Sequence, residues 1–243
     1  MRPVGIISGT ISLHEKGLFK DLEMFSVENE FGTALVFASE TVALIPRHGV
    51  DAKAGIPPHR INHGANLKAL QDRGVREIIG VNSTGSLKRD VRPGMIVIPD
   101  DYIFLPPPST IFHDRAVHIT PALNQEMRHR LIGTAGKLGV AVREKGVYWQ
   151  TSGPRLETKA EIRLLSQYAD IVGMTLASEA TVAAELGLSY AAICSVDNYG
   201  HGLADEPLTA EVITQTARRN TRIMLEIVER YVHDAARGGE AVP

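Results

Sequence analysis

The 243-residue chain contains one cysteine, Cys194. A single cysteine excludes an internal disulfide and a thiolate metal cluster, and this composition is typical of proteins that work in a reducing cytoplasm. Because Cys194 lies in an apolar run, we interpret it as a buried structural side chain and not as a reactive thiol. The sequence also lacks an uninterrupted apolar run of roughly 18 to 20 residues and lacks a signal-peptide profile at its start. We therefore expect a soluble, cytoplasmic protein without a membrane partner.

Excess charge of either sign is absent as well, because 26 Lys and Arg residues stand against 28 Asp and Glu residues, for a formal net charge of -2. A basic surface of the kind that binds nucleic acid is not expected, so nucleic acid is not a predicted partner. Hydrophobic residues make up 44% of the chain, which is enough to bury a large core. We predict one domain over residues 1–235 and a flexible C-terminal tail over residues 236–243.

Short β-branched runs alternate with longer amphipathic stretches along the chain. This alternation predicts an α/β protein whose strands are buried on both faces of a sheet. The predicted strands cover residues 4–7, 34–37, 42–45, 77–81, 95–98, 146–150, 170–174 and 190–196. The predicted helices cover residues 64–73, 123–138, 158–168, 178–186 and 209–233. Glycine follows three of the helical patterns, at Gly74, Gly139 and Gly187, where a left-handed residue ends a helix at little cost.

Two of the predicted strands are followed by residues that can bind an anion. Ser8-Gly9-Thr10 follows the first strand, where glycine lets the backbone approach an anion and a hydroxyl can bind phosphate oxygens. The same tripeptide also fits an ordinary turn. Arg47 and His48 end the third strand and offer a planar fork of donors beside a directional donor. A solvated loop pair would have the same sequence, so this alternative stays open.

Polar side chains end two further strands. Residues 82–86, with the sequence Asn-Ser-Thr-Gly-Ser, end a buried strand and lead into a turn. Their hydroxyl, amide and backbone groups either line a sugar-phosphate pocket or cap the turn itself. Met174 and Thr175 close another strand, and Glu179 in the next helix is close enough to reach back toward a sugar. Because these strand ends should meet at one edge of a single sheet, we infer that they form a common site.

From about residue 4 to residue 232 the chain resembles the trimeric purine nucleoside phosphorylases and their relatives, the methylthioadenosine and methylthioinosine phosphorylases. The matching segments follow the family's order: Ile7-Ser8-Gly9-Thr10, Pro46-Arg47-His48-Gly49, Asn62-His63-Gly64-Ala65-Asn66, Gly85-Ser86-Leu87, Arg92-Pro93-Gly94, Gly153-Pro154-Arg155, Ala160-Glu161, Met174-Thr175, Glu179 and Asn198-Tyr199. The resemblance implies a single-domain, three-layer phosphorylase fold with a central mixed, largely parallel twisted sheet flanked by helices. It also implies a pentosyltransferase that cleaves a purine nucleoside with phosphate.

Carried over position by position, the resemblance implies a phosphate site next to a sugar site. Met174 would contact the ribose hydroxyls, Glu179 would lie near the sugar, and Asn82 would lie near both phosphate and sugar. The implied phosphate ligands are Thr10, Arg47, His48, Ser83 and Thr175.

The same resemblance places Leu156 against the purine face, Glu157 at the N1 and C2 edge of the base, and Asn198 at N7 and O6. Leu156 stands where many members have phenylalanine, and Ser178 stands where proline is common, which could shift the loop above the ribose. Members specific for methylthioadenosine carry aspartate in place of Asn198, because a carboxylate accepts from the 6-amino group. Asparagine can instead accept from a protonated N7 and donate to O6, so a 6-oxopurine is the predicted base.

The implied lining at the 5' end of the sugar is apolar, through Leu208 and Val212 near the start of the last helix, and favours a 5'-methylthio group. S-methyl-5'-thioinosine is therefore the predicted nucleoside, with inosine or guanosine as the close competitor. His201 in the preceding loop offers an alternative donor to a 5'-hydroxyl. The resemblance further implies a homotrimer, which in some members pairs into a hexamer, with Phe112 or His113 reaching into the ribose pocket of a neighbouring subunit.

Cleavage of an N-glycosidic bond develops positive charge on the ribose and negative charge on the base, so a site needs an anion below the sugar and a donor at the base. Phosphate would be that anion and the nucleophile, held by Arg47 and His48, while Asn198 would stabilise the departing base. Inorganic phosphate would be a co-substrate, and no metal or organic cofactor is expected. The alternatives that stay open are an S-methyl-5'-thioadenosine phosphorylase, a nucleoside hydrolase and a non-catalytic nucleoside-binding protein.

Overall fold

The structure is a computed structural model that describes residues 2–9, 17–51, 55–106, 109–204 and 209–238. Within these ranges, the side chains of residues 18, 210–212 and 238 are not described. Two predicted site residues, Thr10 and Leu208, lie outside the described residues, as does the side chain of Val212.

Eleven strands and five α-helices form in the described residues. The strands are β1 (Val4–Ser8), β2 (Glu23–Asn29), β3 (Gly32–Ala38), β4 (Val42–Pro46), β5 (Glu77–Ser86), β6 (Ile96–Val97), β7 (Asp101–Ile103), β8 (Val142–Arg143), β9 (Val147–Gln150), β10 (Ile171–Gly173) and β11 (Ser189–Tyr199). The helices are α1 (His63–Asp72), α2 (Gln125–Lys137), α3 (Lys159–Leu165), α4 (Leu176–Glu185) and α5 (Ala210–Gly238). Short 3-10 turns occur at Gly17–Phe19 and Pro58–Arg60.

All the described strands belong to one mixed sheet. Its main path runs β2-β3-β4-β1-β5-β10-β9-β7, and a branch leaves β5 through β11 to β6 and β8. The parallel pairs are β1–β4, β1–β5, β5–β11, β6–β8, β7–β9 and β9–β10. The antiparallel pairs are β2–β3, β3–β4, β5–β10 and β6–β11. The mixed, largely parallel sheet predicted from the sequence is confirmed.

Helices cover the sheet on two faces and so produce three layers. On one face, α1 and α4 contribute to a core in which Leu67 and Ile78 are buried. On the other face, α2 and α5 contribute to a second core that contains Ile227 and Ile79. Ile78 and Ile79 are neighbours in β5, and successive side chains of a strand point to opposite faces. This burial on both faces explains why the predicted strands are continuous apolar runs.

Two strands extend further than the sequence pattern predicts, because β5 continues through Ser86 and β11 through Tyr199. The strand end predicted at residue 81 is therefore too early, whereas the predicted turn does follow, directly after Ser86. These polar residues stay in the sheet because β11 continues to pair with them. The pattern also misses β2, β7 and β8. Strand β2 lies at the sheet edge with partly exposed side chains, and β7 and β8 have only three and two residues.

The helices end as the glycine pattern predicts. Gly74, Gly139 and Gly187 have positive φ values of 82°, 69° and 69°, which favour glycine at these positions. Helix α5 continues to Gly238, beyond the domain boundary predicted at residue 235, and residues 239–243 lie outside the described ranges. Among the described helices, none is both long enough and apolar enough to cross a membrane.

Candidate active site

A cavity of about 550 Å³ lies at the carboxyl ends of β1, β4, β5, β10 and β11. Ligands bind at this edge of open α/β sheets, because loops from several strands converge there. The predicted site residues that line the cavity are Arg47, His48, Asn82, Ser83, Leu156, Glu157, Met174, Thr175 and Asn198. Two other predicted site residues that the structure describes, Glu179 and Phe112, do not line the cavity.

Arg47 lies at the floor of the cavity with 3% of its surface exposed. Its Nη1 donates to the carbonyl oxygen of Val81 at 3.1 Å and to Oδ1 of Asn82 at 3.0 Å. Its Nη2 donates to the carbonyl oxygen of Ile7 at 2.8 Å and to Oε2 of Glu179 at 3.3 Å. The guanidinium fork is therefore directed at protein acceptors. An incoming anion must displace at least one of them to form the bidentate contact that the sequence suggests.

Glu179 lies beneath Arg47, with 1% of its surface exposed. Its Oε1 is 2.7 Å from Nε of Arg47, an ion pair whose N–H is not aligned as a hydrogen bond. Its Oε2 accepts from the hydroxyl of Tyr190 at 2.7 Å. Burial raises the pKa of Glu179, and the charge of Arg47 opposes that rise. The structure thus makes Glu179 the counter-ion of Arg47, which differs from the sugar contact predicted for it.

His48 stands on the cavity wall, with its Nδ1 2.6 Å from the carbonyl oxygen of Ile56. Because a carbonyl oxygen only accepts, Nδ1 carries a proton in this contact. Burial lowers the pKa of His48, the hydrogen bond to Ile56 opposes that shift, and the charge of Arg47 adds to it. The neutral ring therefore has an unprotonated Nε2, and His48 can donate to an anion through this atom only after it takes up a proton.

The polar side chains near Arg47, where the sequence predicts phosphate, form hydrogen bonds with one another. Oγ1 of Thr175 donates to Oδ1 of Asn82 at 3.2 Å, so two predicted ligands are in direct contact. The backbone N–H of Thr175 donates to the hydroxyl of Tyr148 at 3.3 Å. Thr175 and Asn82 are buried, at 5% and 2% exposure. Their positions are fixed by the protein before any ligand arrives.

Strand β11 and the segment before α3 form the other end of the cavity. Asn198 donates one amide N–H to the carbonyl oxygen of Tyr199 at 2.8 Å, which leaves its second N–H and its Oδ1 for a ligand. Glu157 is 8% exposed, and the hydroxyl of Thr151 donates to its Oε1 at 2.6 Å. Leu156 on the same segment is 46% exposed and supplies an apolar wall. The carboxamide, carboxylate and apolar wall predicted for a purine therefore line one cavity.

Two glycines make room for these ligand-facing side chains. A Cβ on Gly85 would lie 3.1 Å from Nδ2 of Asn198 and 3.3 Å from Cγ1 of Val172, which is tighter than ordinary contact. Gly153 has a φ of 61°, and a Cβ there would overlap the sulfur of Met174. Because glycine has no Cβ, Asn198 and Met174 can approach the backbone at these two positions.

An exposed clamp holds the segment that carries Leu156 and Glu157. Nη1 and Nη2 of Arg155 donate to the two carboxylate oxygens of Glu161 at 2.8 and 2.7 Å. Glu161 also accepts from the backbone N–H of Thr158 at 2.7 Å and completes a capping box at the start of α3. The hydrogen bond from Arg155, followed by that from Thr158, lowers the pKa of Glu161 to about 2. The segment is thus fixed by contacts at the surface.

The part of the cavity that the sequence predicts for the 5' end of a nucleoside has mixed chemistry. Ile213 near the start of α5 and the exposed His201 both line the cavity, one apolar and one polar. Phe112 does not line the cavity. The guanidinium of Arg115 lies 5.0 Å from the centre of its ring, and the hydroxyl oxygen of Thr110 accepts from its backbone N–H at 3.1 Å. Its contact with a neighbouring subunit stays a prediction, as do the roles of the residues outside the described ranges.

Several buried polar residues that support the site are not identified by the sequence pattern. Gln150 binds Ser178 twice: its Nε2 donates to Oγ at 2.6 Å, and its Oε1 accepts from the backbone N–H at 3.0 Å. Tyr190 holds Glu179, and Asn220 on α5 binds the carboxylate of Asp197. A polar residue within an apolar segment is the only signal that marks them. In the same described ranges, no three His, Cys, Asp or Glu side chains could hold a metal ion.

Comparison with known proteins agrees with this geometry. The sequence profile of the phosphorylase superfamily matches residues 4–233. The chain belongs to the phosphorylase superfamily. The match spans every described strand and every described residue that lines the cavity.

Relatives within the superfamily cover nearly the whole chain. A protein of Archaeoglobus fulgidus, named as a probable 6-oxopurine nucleoside phosphorylase, is 45% identical over 234 residues, which are 94% of this chain and 95% of that protein. A probable S-methyl-5'-thioinosine phosphorylase of Methanocaldococcus jannaschii is 36% identical over 95% of this chain and 92% of its own length. The crystal structure of methylthioadenosine phosphorylase from Schistosoma mansoni with adenine has a TM-score of 0.86 at 26% identity, over 99% of this chain and 93% of that one. The predicted family and the α/β phosphorylase fold are confirmed.

Proposed function

We propose that the protein is a 6-oxopurine nucleoside phosphorylase, a pentosyltransferase that moves the sugar of a nucleoside from its purine to inorganic phosphate. One observation carries the proposal: Asn198 and Glu157 line the same cavity as Arg47 and His48. An amide and a carboxylate can read a purine, and cationic or titratable groups can hold an oxyanion. The products are the free base and the sugar 1-phosphate. Phosphate is the co-substrate, and the proposed reaction needs no other cofactor.

In the proposed reaction, a phosphate oxygen forms a bond to C1' of the sugar as the bond from C1' to N9 of the purine breaks. The electron pair of the broken bond leaves with the base, which takes up a proton from solvent at N7, and hydrogen phosphate returns one proton to solvent as it becomes the sugar ester. Positive charge grows on the sugar between the phosphate and the departing base, so the anion stabilises the transition state electrostatically. Holding both reactants in one cavity removes much of the entropic barrier.

At the anion end, the protein offers less free positive charge than the sequence suggests. The charge of Arg47 is paired with that of Glu179, and His48 is neutral. Neutral His48 can accept from a protonated phosphate oxygen, whereas protonated His48 can donate to an unprotonated one. Arg47 and Asn82 both line the cavity, so a phosphate can take the place of Oδ1 of Asn82 as the acceptor for Nη1 of Arg47.

At the base end, the available hydrogen-bonding groups match a 6-oxopurine. Oδ1 of Asn198 accepts from a protonated N7, and its second N–H donates to O6. Glu157 is acceptor-only when ionised, so it accepts from the N1–H that a 6-oxopurine carries. A 6-aminopurine has no hydrogen at N1 and would place a lone pair against this carboxylate. The name of the Archaeoglobus fulgidus relative supports the same base class.

A methylthioadenosine phosphorylase is the second candidate, and one observation favours it. One N–H of Asn198 already donates to Tyr199, whereas Oδ1 has both lone pairs available and can accept from a 6-amino group. The Schistosoma mansoni enzyme with adenine has the same fold. The carboxylate of Glu157 opposes this candidate, as described above.

The sugar, assembly and location of the enzyme are part of the proposal. Ile213 supports a 5'-methylthio group and therefore S-methyl-5'-thioinosine, the substrate in the name of the Methanocaldococcus jannaschii relative. His201 supports inosine or guanosine as the competitor. We propose a homotrimer in which Phe112 completes a neighbour's ribose pocket. A cytoplasmic location is supported by the single, buried cysteine.

Purine release from inosine, guanosine, S-methyl-5'-thioinosine and S-methyl-5'-thioadenosine tests the proposal when each is assayed with and without phosphate. We expect phosphate-dependent release with the highest kcat/KM for S-methyl-5'-thioinosine. Asn198→Asp is the matched variant and should move the preference toward the 6-amino substrate. Release without phosphate would show a hydrolase, and dominant cleavage of S-methyl-5'-thioadenosine by the wild type would refute the base assignment.

A further inference from the structure

Strand β11 contains a bulge beside the base-reading end of the cavity. Val196 pairs with Thr84 of β5, and Asn198 pairs with Gly85, the next residue of β5, so Asp197 is the extra residue. Without the bulge, strand alternation would place Asn198 on the same face as Val196, which is fully buried in the core. A bulge changes the direction of the side chains that follow it. The cavity-facing position of Asn198 therefore depends on this irregularity.

The carboxylate of Asp197 is fully buried and accepts hydrogen bonds from separate elements. Its Oδ2 accepts from Oγ of Ser195 on β11 at 2.9 Å. Its Oδ1 accepts from Nδ2 of Asn220 on α5 at 2.8 Å. Ser83 on β5 also interacts with the same carboxylate and opposes the rise in its pKa. One side chain thus connects β5, β11 and α5 at the bulge.

Asn220 supports the bulge from a second direction. It is fully buried, and its Nδ2 also donates to the carbonyl oxygen of Val196 at 3.2 Å. One amide group therefore holds both the backbone before the bulge and the side chain within it. Burial raises the pKa of Asp197, and the hydrogen bonds from Ser83, Asn220 and Ser195 oppose that rise. A buried carboxylate is costly even when donors surround it, so its presence in an apolar strand calls for a reason.

We propose that Asp197 is a positioning residue that acts through Asn198, because its buried hydrogen bonds hold the bulge that turns the Asn198 carboxamide toward the cavity. The inference rests on the proposed function, in which Asn198 stabilises the departing base. Asp197 is not among the described residues that line the cavity, so the proposal assigns it no contact with the substrate. A displacement of the carboxamide by about 1 Å is enough to lower the rate on the order of 100-fold.

A double-mutant cycle tests whether Asp197 acts through Asn198. The wild type, Asp197→Ala, Asn198→Ala and the double variant are assayed for kcat and KM with the preferred nucleoside at saturating phosphate. We expect each single change to lower kcat/KM on the order of 100-fold, mainly through kcat. The double variant should fall within about threefold of Asn198→Ala, because the same contact is lost only once. Losses that multiply, or a wild-type kcat/KM in Asp197→Ala, would overturn the inference.

Asp197→Asn provides the conservative comparison. It keeps an oxygen that accepts from Asn220, so it should recover about tenfold of the kcat/KM lost in Asp197→Ala. Equal losses in Asp197→Asn and Asp197→Ala would contradict a role for these hydrogen bonds.

Two further measurements keep the outcomes distinct. If Asp197→Ala does not fold, as judged from its thermal unfolding, Asn220→Ala replaces it in the cycle and the same coupling with Asn198→Ala is expected. Multiplying losses in that cycle would again overturn the inference. A wild type that releases no purine with phosphate contradicts the proposed function. An active wild type with independent losses contradicts only the role of Asp197.

Discussion

The guanidinium of Arg47 and the carboxylate of Glu179 are both almost completely buried, at 3% and 1% exposure. Each charge is tolerated inside the protein because the other lies 2.7 Å away. Changing Arg47 alone therefore affects two properties at once, the stability of the fold and the affinity of the cavity for an anion. A second substitution at Glu179 can separate them.

Arg47→Met is expected to lower the free energy of unfolding by about 3–5 kcal/mol, because it leaves the charge of Glu179 buried and unpaired. Adding Glu179→Gln removes that charge and should restore most of the stability, since the amide oxygen can still accept from Tyr190. The phosphate KM should lie above the wild-type value in both variants, because both lack the guanidinium. Urea unfolding and phosphate saturation curves provide the two measurements. A double variant with the wild-type phosphate KM would show that Arg47 serves the fold alone.

His48 predicts a pH dependence of anion binding. Burial lowers its pKa from the usual 6.5, so the ring is neutral in the free protein at neutral pH. An anion at Nε2 favours the protonated ring, and the protonated fraction grows as the pH falls. Sulfate keeps its charge in this range, so its affinity should rise by up to about tenfold per pH unit between about pH 7.5 and 5.5.

Calorimetry of sulfate binding measures this slope, and His48→Gln is the control because glutamine does not titrate. The slope should disappear in the variant. An unchanged slope would assign the proton uptake to another group, such as Glu179 or Asp197, whose pKa values are raised by burial.

At the scale of secondary structure, the hydrogen bonds between Gln150 and Ser178 join the end of β9 to the first turn of α4. Both side chains are buried, at 3% and 2% exposure. Ser178 supplies a backbone N–H and a hydroxyl, and proline, which is common at this position in the family that the sequence resembles, has neither. The serine is therefore matched to the glutamine that faces it.

Ser178→Pro is expected to lower the free energy of unfolding by about 1–3 kcal/mol, because it leaves the buried amide of Gln150 without partners. Ser178→Ala keeps the backbone N–H and should have a smaller effect. Combining Ser178→Pro with Gln150→Leu should recover most of the loss, as measured by urea unfolding. A combined variant no more stable than Ser178→Pro would place the cause in the helix backbone.

The sequence predicts those elements that are buried on both faces. Strands β1 and β4 are fully buried along five residues each, and their apolar runs identify them. The second half of β5 is not predictable in this way, because its small polar residues stay in the sheet only through their pairing with β11. Edge strands such as β2 have no comparable apolar pattern.

For the site, the sequence indicates which residues meet but not how they are bonded. Arg47, His48 and Asn198 line the cavity as predicted. The direction of the Arg47 donors depends on Glu179, which is 132 positions away in the chain. The bulge at Asp197 depends equally on distant partners, among them Asn220, 23 positions away. Local patterns of residue type carry no information about such contacts.

At the scale of the whole molecule, residues 109–112 do not line the cavity of their own chain. Glu185 of α4 accepts from the hydroxyl of Thr110 at 2.7 Å and from the backbone N–H of Ile111 at 2.8 Å. These two contacts anchor the segment directly before Phe112. An anchored aromatic side chain outside its own cavity fits the proposed contact with a neighbouring subunit.

Phe112→Ala is expected to lower the kcat/KM for the nucleoside by about tenfold, through loss of one aromatic contact to the substrate. Leu105→Ala is the matched control, since Leu105 precedes Phe112 in the chain and has 75% of its surface exposed. Chains with Arg47→Met and Glu179→Gln together keep Phe112, so mixing them with Phe112→Ala chains should restore some intact sites if a neighbour supplies the ring. Unchanged activity in Phe112→Ala, or no recovery on mixing under conditions where subunits exchange, would contradict the shared site.

The surface clamp of Arg155 and Glu161 gives the two ends of the cavity different tolerance to change. The anion end is built into buried strands, so its alteration disturbs the core as well. The segment with Leu156 and Glu157 is instead fixed by an exposed pair, whose side chains are 67% and 40% accessible. Under the proposed function, the contacts of Leu156 and Glu157 with a base can therefore change with little effect on the buried strands, whereas a change at Asn198 or at the proposed phosphate ligands also alters the core.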